Sequence, residues 1–175
     1  DLGSISGHPN VDVVALCDID DTQLSPAAKR FPKAKTFNDF RVMFDELADQ
    51  FDAVVVSTPD HTHAPAAMTA LNHGKPVYCQ KPLTHEVFEA RRLREVAEEK
   101  GLVTQMGIQV HASIQYRTST QLIQSGAIGK VSEVHAWSNK NWGYDGAAFK
   151  GEDTVPDSVH WDLWLGTTKE RPYKK

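Results

Sequence analysis

The chain has 175 residues, 40% hydrophobic and 24% charged, with a formal charge of −4 at pH 7. That composition belongs to a globular chain of about one domain's length, large enough to bury a core. It shows no clustering of Lys and Arg such as a nucleic-acid footprint needs, and no apolar run approaches the roughly 18 residues of a membrane span, so neither partner is expected.

The chain opens DLGSISG, without methionine or a signal-peptide pattern, and reads as a piece of a longer protein. A cytoplasmic location is expected, with periplasmic export left open. Four short apolar, β-branched runs follow: VDVVALCDID (11–20), FDAVVVSTPD (51–60), KPVYCQKP (75–82) and GLVTQMG (101–107). Such continuous runs are the pattern of strands buried on both faces. Cys17 and Cys79 lie inside two of them and read as small buried hydrophobes rather than a disulfide.

Between the runs lie helical patterns. Phe40, Met43, Phe44 and Leu47 follow a cap at Asn38; Ala64, Ala67, Met68 and Leu71 are closed by Gly74. Both sets keep the i, i+3, i+4, i+7 spacing of an amphipathic helix. A third helix starts near Thr84, turns Val87, Ala90, Leu93 and Ala97 inward, and stops at Gly101. Strands alternating with helices, with no hairpin signal, predict an α/β fold: a doubly wound, Rossmann-type parallel sheet with helices on both faces.

Ligands of such sheets bind outside the carboxyl ends of the strands. Asp18 ends the first run, where a carboxylate accepts from the ribose hydroxyls of a dinucleotide; alone, an Asp there is also a common turn residue. The glycine-rich phosphate turn should precede it by about 20 residues, which falls before residue 1. Ser57, Thr58 and Pro59 end the second run and keep the backbone close to a ligand, or simply form a strand–helix turn. His61 and His63 suggest a metal, yet no carboxylate or thiol stands at ligand spacing, so no metal is expected. Lys81 ends the third run with Pro82 fixing the exit. Without the surrounding pattern, a lysine there also reads as a solvated strand–helix turn residue.

Asp18 at a strand end, STPDHTH, GKPVYCQKPLTHE, TQMGIQVH and SGAIGKVSEVHAW, in this order and spacing, resemble the glucose-fructose oxidoreductase, inositol dehydrogenase and rhizopine catabolism family, Gfo/Idh/MocA. The resemblance covers nearly the whole chain. It implies a Rossmann domain binding NAD, or less readily NADP, over 1–129, and over 130–175 the start of an α+β domain with a mostly antiparallel sheet, through which homo-oligomers form. It implies hydride transfer between nicotinamide and a sugar, cyclitol or related polyol. Lys81 would then stand near the nicotinamide as the catalytic lysine. Asp18, Ser57, Thr58, Pro59, His63, Gln80 and Gln109 would face the cofactor, and Lys81, His111 and Trp142 the substrate. Gln80 departs from the family's usual Glu, so it cannot hold Lys81 by charge. The family's further catalytic Asp and His would lie beyond residue 175, which leaves this stretch alone inactive by expectation.

From Lys130, KVSEVHAW alternates and reads as a strand with one wetter face. Trp137, Trp142, Trp161 and Trp164 all follow that point. NKNWGYDG mixes rings with amides and a carboxylate, which suits a sugar face, although such rings also pack interfaces. WDLWLG has the spacing of a short core helix. Two other functions stay open under the same resemblance: an NAD-dependent glycoside hydrolase and a non-catalytic dinucleotide-binding sensor.

Overall fold

The computed structural model describes residues 1–140, 146, 147 and 150–174. The chain forms two compact units, one of Asp1–Gly107 with Glu152–Lys175, the other of Ile108–Gly151. The boundary expected near residue 130 thus falls inside the second unit, and the chain's last stretch belongs with the first.

The first unit runs α1 (Leu2–Ile5), β1 (Ala15–Cys17), α2 (Asp21–Arg30), β2 (Lys35–Phe37), α3 (Phe40–Leu47), β3 (Val54–Val56), α4 (Asp60–Asn72), β4 (Val77–Gln80), α5 (Val87–Lys100) and β5 (Thr104–Gly107). Every strand pair is parallel. β1 pairs with β2, and β3, β4 and β5 form a second ladder in that order. Among the described residues no strand pairs with both β1 and β3. The register sets Val56 opposite Cys79 and Gln80 opposite Gly107, so the β3, β4 and β5 ends lie side by side.

Local chemistry starts and stops the helices. Asp20 caps α2 by accepting the Thr22 N–H at 2.9 Å. The cap of α3 is Asp39, which accepts the Arg41 N–H at 2.8 Å, and not the expected Asn38. Asn38 is used elsewhere: its amide donates to the Asp18 carbonyl at 3.0 Å and to Asp21 Oδ1 at 2.8 Å. α5 begins three residues later than the expected Thr84, at a capping box between Glu86 and Glu89. Val87 therefore sits in the first turn and is 70% exposed, a correction to its expected inward position, whereas Leu93 and Ala97 are buried. Gly101 closes α5 at φ +63°, a left-handed conformation that costs other residues steric strain.

Phe44, Leu47, Leu71, Val56, Val77, Cys79 and Leu93 are buried together in the core of this unit. Phe44 meets Phe51 edge-on at 5.4 Å. Each fully buried side chain of this size contributes about 1.5–3 kcal/mol. The other face of β3 is less covered, with Val55 42% exposed, so burial there is one-sided rather than two-sided. Cys17 and Cys79 are free thiols. Burial, then the charges of Asp39 and Asp18, push the Cys17 thiol up to about 12, and burial pushes Cys79 up to about 11.

The segment from Glu152 returns to this unit and carries α7 (Trp161–Leu165) on the WDLWLG stretch, with Leu165 buried. It lies across the loop after β1: Asp20 and Val159 form an antiparallel bridge, and the His160 N–H donates to the Ile19 carbonyl at 2.9 Å. In the second unit a short 3₁₀ turn (Val110–Ala112) precedes α6 (Ile114–Gln124), which Ser113 caps. Residues 130–139 form no strand among the described residues, where an alternating segment becomes one only by pairing. No helix is long and apolar enough to cross a membrane among the described residues.

Candidate active site

The ends of β3 and β4 form the site. β3 stops at Val56, and Ser57, Thr58 and Pro59 lead directly into α4 with Pro59 at its cap position. Pro suits this place because its missing N–H would have no helical partner and its φ, here −58°, is already set. β4 stops at Gln80, and Lys81 and Pro82 turn the chain outward. Lys81 is exposed, and its amine has no hydrogen bond or ion pair among the described residues. Its backbone is held instead: the Lys81 N–H donates to Gln80 Oε1 at 3.1 Å.

Ser57 and Gln80 converge. Ser57 Oγ donates to Asp1 Oδ2 at 2.7 Å, and Gln80 Nε2 lies 2.7 and 2.6 Å from the two oxygens of the same carboxylate. Two strand ends thus present donors to one two-oxygen group. Gly107 on β5 completes the cup, because a Cβ there would lie 2.6 Å from Gln80 Oε1.

His63, in the first turn of α4, is 1% exposed. Its Nδ1 is 2.6 Å from the Pro82 carbonyl and its Nε2 2.8 Å from the Thr58 carbonyl. The ring is therefore turned to the loops from beneath. Asp18 ends β1, half-buried, with Oδ1 accepting the Asp20 N–H at 2.9 Å and Oδ2 unpartnered among the described residues. Gln109 and His111 belong to the second unit, where the His111 ring lies 4.9 Å from that of Tyr116. Trp142 lies outside the described residues. No group of three His, Cys, Asp or Glu side chains could hold a metal among the described residues.

Spacing alone did not reveal the contribution of the returning segment. His61 Nε2 contacts the Trp164 carbonyl at 2.6 Å, and the two rings meet at 4.9 Å. Trp164 stacks on Trp161 at 4.7 Å, while the Arg171 guanidinium stands over the Trp164 ring. His61, Trp164 and Arg171, with Asp60, His85, Thr168 and Lys169, line a cleft of about 350 Å³ beside the start of α4. WDLWLG marked a helix, but more than 90 residues of chain separate it from His61, and no local pattern encodes that contact.

The residues present fit a dinucleotide's polar groups. Asp18 offers a free carboxylate oxygen at a strand end, as a ribose hydroxyl requires, and the Ser57–Gln80 cup already seats a polar group. When bound, the nicotinamide supplies the hydride acceptor or donor.

Comparison with known proteins agrees with this geometry. Residues 2–108 match the oxidoreductase family with the NAD-binding Rossmann fold, Gfo/Idh/MocA. The chain is 33% identical over 131 residues to inositol 2-dehydrogenase of Rubrobacter xylanophilus, covering 74% of this chain and 37% of that protein. It superposes on myo-inositol 2-dehydrogenase of Lactobacillus plantarum with a TM-score of 0.66 at 26% identity, over 73% of this chain and 37% of that one. A 3-ketoreductase of Actinomadura kijaniata, solved with TDP-benzene and NADP, gives 0.65 at 28% identity, over 74% and 39%. The chain thus spans little more than a third of the length of these relatives. Its parallel strands, the strand-end site and the match over 2–108 place it in the Gfo/Idh/MocA family of NAD-binding Rossmann oxidoreductases.

Proposed function

We propose that the protein carrying this chain is a dehydrogenase that moves a hydride between NAD and a carbinol carbon of a cyclitol, sugar or related polyol. The observation that carries this reading is Lys81: an amine without a partner among the described residues at the end of β4, its backbone anchored by Gln80, beside the β3 loop. Relatives named inositol 2-dehydrogenase support the substrate class.

In the oxidative direction the substrate C–H leaves as hydride and its O–H proton must be accepted. Lys81 hydrogen-bonds that hydroxyl and takes or relays the proton to water. Gln80 positions Lys81 without adding a charge. Asp18 accepts from the adenosine ribose hydroxyls, and its negative charge disfavours a 2′-phosphate, so NAD is preferred over NADP. Ser57, Thr58, Pro59 and Gln80 are assigned to the cofactor side, with His63 beneath their loops, and Gln109 keeps its cofactor assignment from the family resemblance alone. His111 and Trp142 are assigned to the substrate side, and the C-terminal sheet to a homo-oligomer in the cytoplasm.

The test is formation of reduced nicotinamide by the full-length protein on a panel of inositols and aldoses. Net reduction of NAD on a polyol supports the reading. Cleavage of an aryl glycoside without net reduction would transfer the assignment to a hydrolase, and cofactor binding without turnover of any member of the panel would make it a sensor.

A further inference from the structure

His63 has an arrangement that burial alone does not explain. A buried histidine commonly finds one acceptor; here both ring nitrogens face carbonyl oxygens, at 2.6 and 2.8 Å, with the side chain 1% exposed. Carbonyl oxygens accept and never donate. A ring with a single N–H satisfies one of them and sets a lone pair against the other, whereas a ring with N–H on both nitrogens satisfies both. The Thr58 contact lies within the range of a donated N–H···O bond and the Pro82 contact is shorter still, too close for a ring lone pair set against a carbonyl oxygen.

The two carbonyls belong to different strand-end loops. Thr58 lies between β3 and α4, and Pro82 follows Lys81 after β4. The ladder between these strands ends at the pair Val56 and Cys79, and no backbone hydrogen bond joins residues 57–59 to 80–83 among the described residues. His63 therefore ties the two loops directly where the ladder has stopped, alongside the Asp1 carboxylate that Ser57 and Gln80 share. It grips Lys81 from its C-terminal side through Pro82, while Gln80 Oε1 grips it from its N-terminal side at 3.1 Å.

We propose that His63 is a positioning residue for Lys81: donating from both ring nitrogens, it clasps the Thr58 and Pro82 carbonyls and so fixes where the Lys81 amine meets the substrate hydroxyl. This rests on the reading of Lys81 as the proton-transfer lysine. An apolar side chain of similar volume could fill the space under the loops but could not join them.

Two measurements on the full-length protein test the clasp. Long-range ¹H–¹⁵N correlation spectra of the wild type should show both His63 nitrogens in the N–H form; one bare nitrogen would overturn the proposal, and this readout needs no variant to fold. In kinetics, His63→Leu should lower kcat, at saturating NAD and polyol, on the order of 10²-fold, the scale of a small misplacement of a reacting group. His63→Gln, whose amide retains N–H donors, should recover part of the loss. A folded His63→Leu with wild-type kcat would overturn the clasp. Should the wild type turn over no polyol with either cofactor, the functional reading fails, while the spectra still decide the state of His63.

Discussion

Gly107 leaves the space that the Gln80 amide occupies: a Cβ on Gly107 would lie 2.6 Å from Gln80 Oε1 and 3.0 Å from Tyr78 Oη. Both atoms sit at the ends of side chains that can rotate, so Gly107→Ala should not unfold the sheet. It should displace Gln80 and release the Lys81 N–H that Gln80 Oε1 accepts. The expected outcome is a melting temperature lowered by an amount equivalent to about 1 kcal/mol, the usual scale for a point substitution, with a larger proportional loss in kcat. Thermal unfolding and steady-state kinetics on the same preparation check this; unchanged kcat would show that Gln80 does not position Lys81.

Asp39 links stability to pH. The Arg41 side chain, 2.6 Å from its carboxylate, and the Arg41 N–H hold Asp39 below its ordinary value of 3.8, against a smaller opposing effect of burial. A depressed carboxylate stabilises the fold above its unfolded value, and that contribution disappears as pH falls through the folded value. Stability should therefore drop from about pH 4 downward by a component that Asp39→Asn, still a good cap, no longer shows. Asp39→Ala should cost about 0.5–2 kcal/mol near neutrality. Denaturant melts across pH check both; identical acid limbs in wild type and Asp39→Asn would contradict the assignment.

The proposed role of Asp18 is to set the cofactor preference. With one carboxylate oxygen bound to the Asp20 N–H and the other unpartnered among the described residues, it can accept from a 2′-hydroxyl and repels a 2′-phosphate. The wild type should show higher kcat/KM with NAD than with NADP, and Asp18→Ala should narrow that ratio chiefly by raising KM for NAD. An NADP preference in the wild type would contradict this role.

Much of this arrangement was legible in the sequence because parallel strands advertise themselves. The runs around Val54–Val56, Val77–Gln80 and Thr104–Gly107 are apolar and end in polar residues, so strand ends and ligand side could be read together. β2 was not legible: Lys35, Thr36 and Phe37 form a strand largely exposed, with no apolar run to mark it. The cap at Asp39 rather than Asn38 depended on where the Asn38 amide found partners, at Asp18 and Asp21, which lie 20 and 17 residues away. His63 stands out in the sequence beside STPD, but its two carbonyl partners exist only once β3 and β4 are side by side. Likewise the contact of Trp164 with His61 depends on the chain's return after residue 152.

Lys81 carries the account, and its removal is the most direct test. In the full-length protein, kcat of Lys81→Ala should be measured with NAD and polyol both saturating, alongside the dissociation constant for NAD. The expected fall in kcat is roughly 10² to 10⁴-fold, typical of a lost general acid or base, with NAD binding within a few-fold of wild type. Lys81→Arg should not restore activity, because a guanidinium stays protonated and cannot accept the proton. A wild-type kcat in Lys81→Ala under these conditions would contradict the central claim, since an exposed turn lysine with no role loses little when truncated.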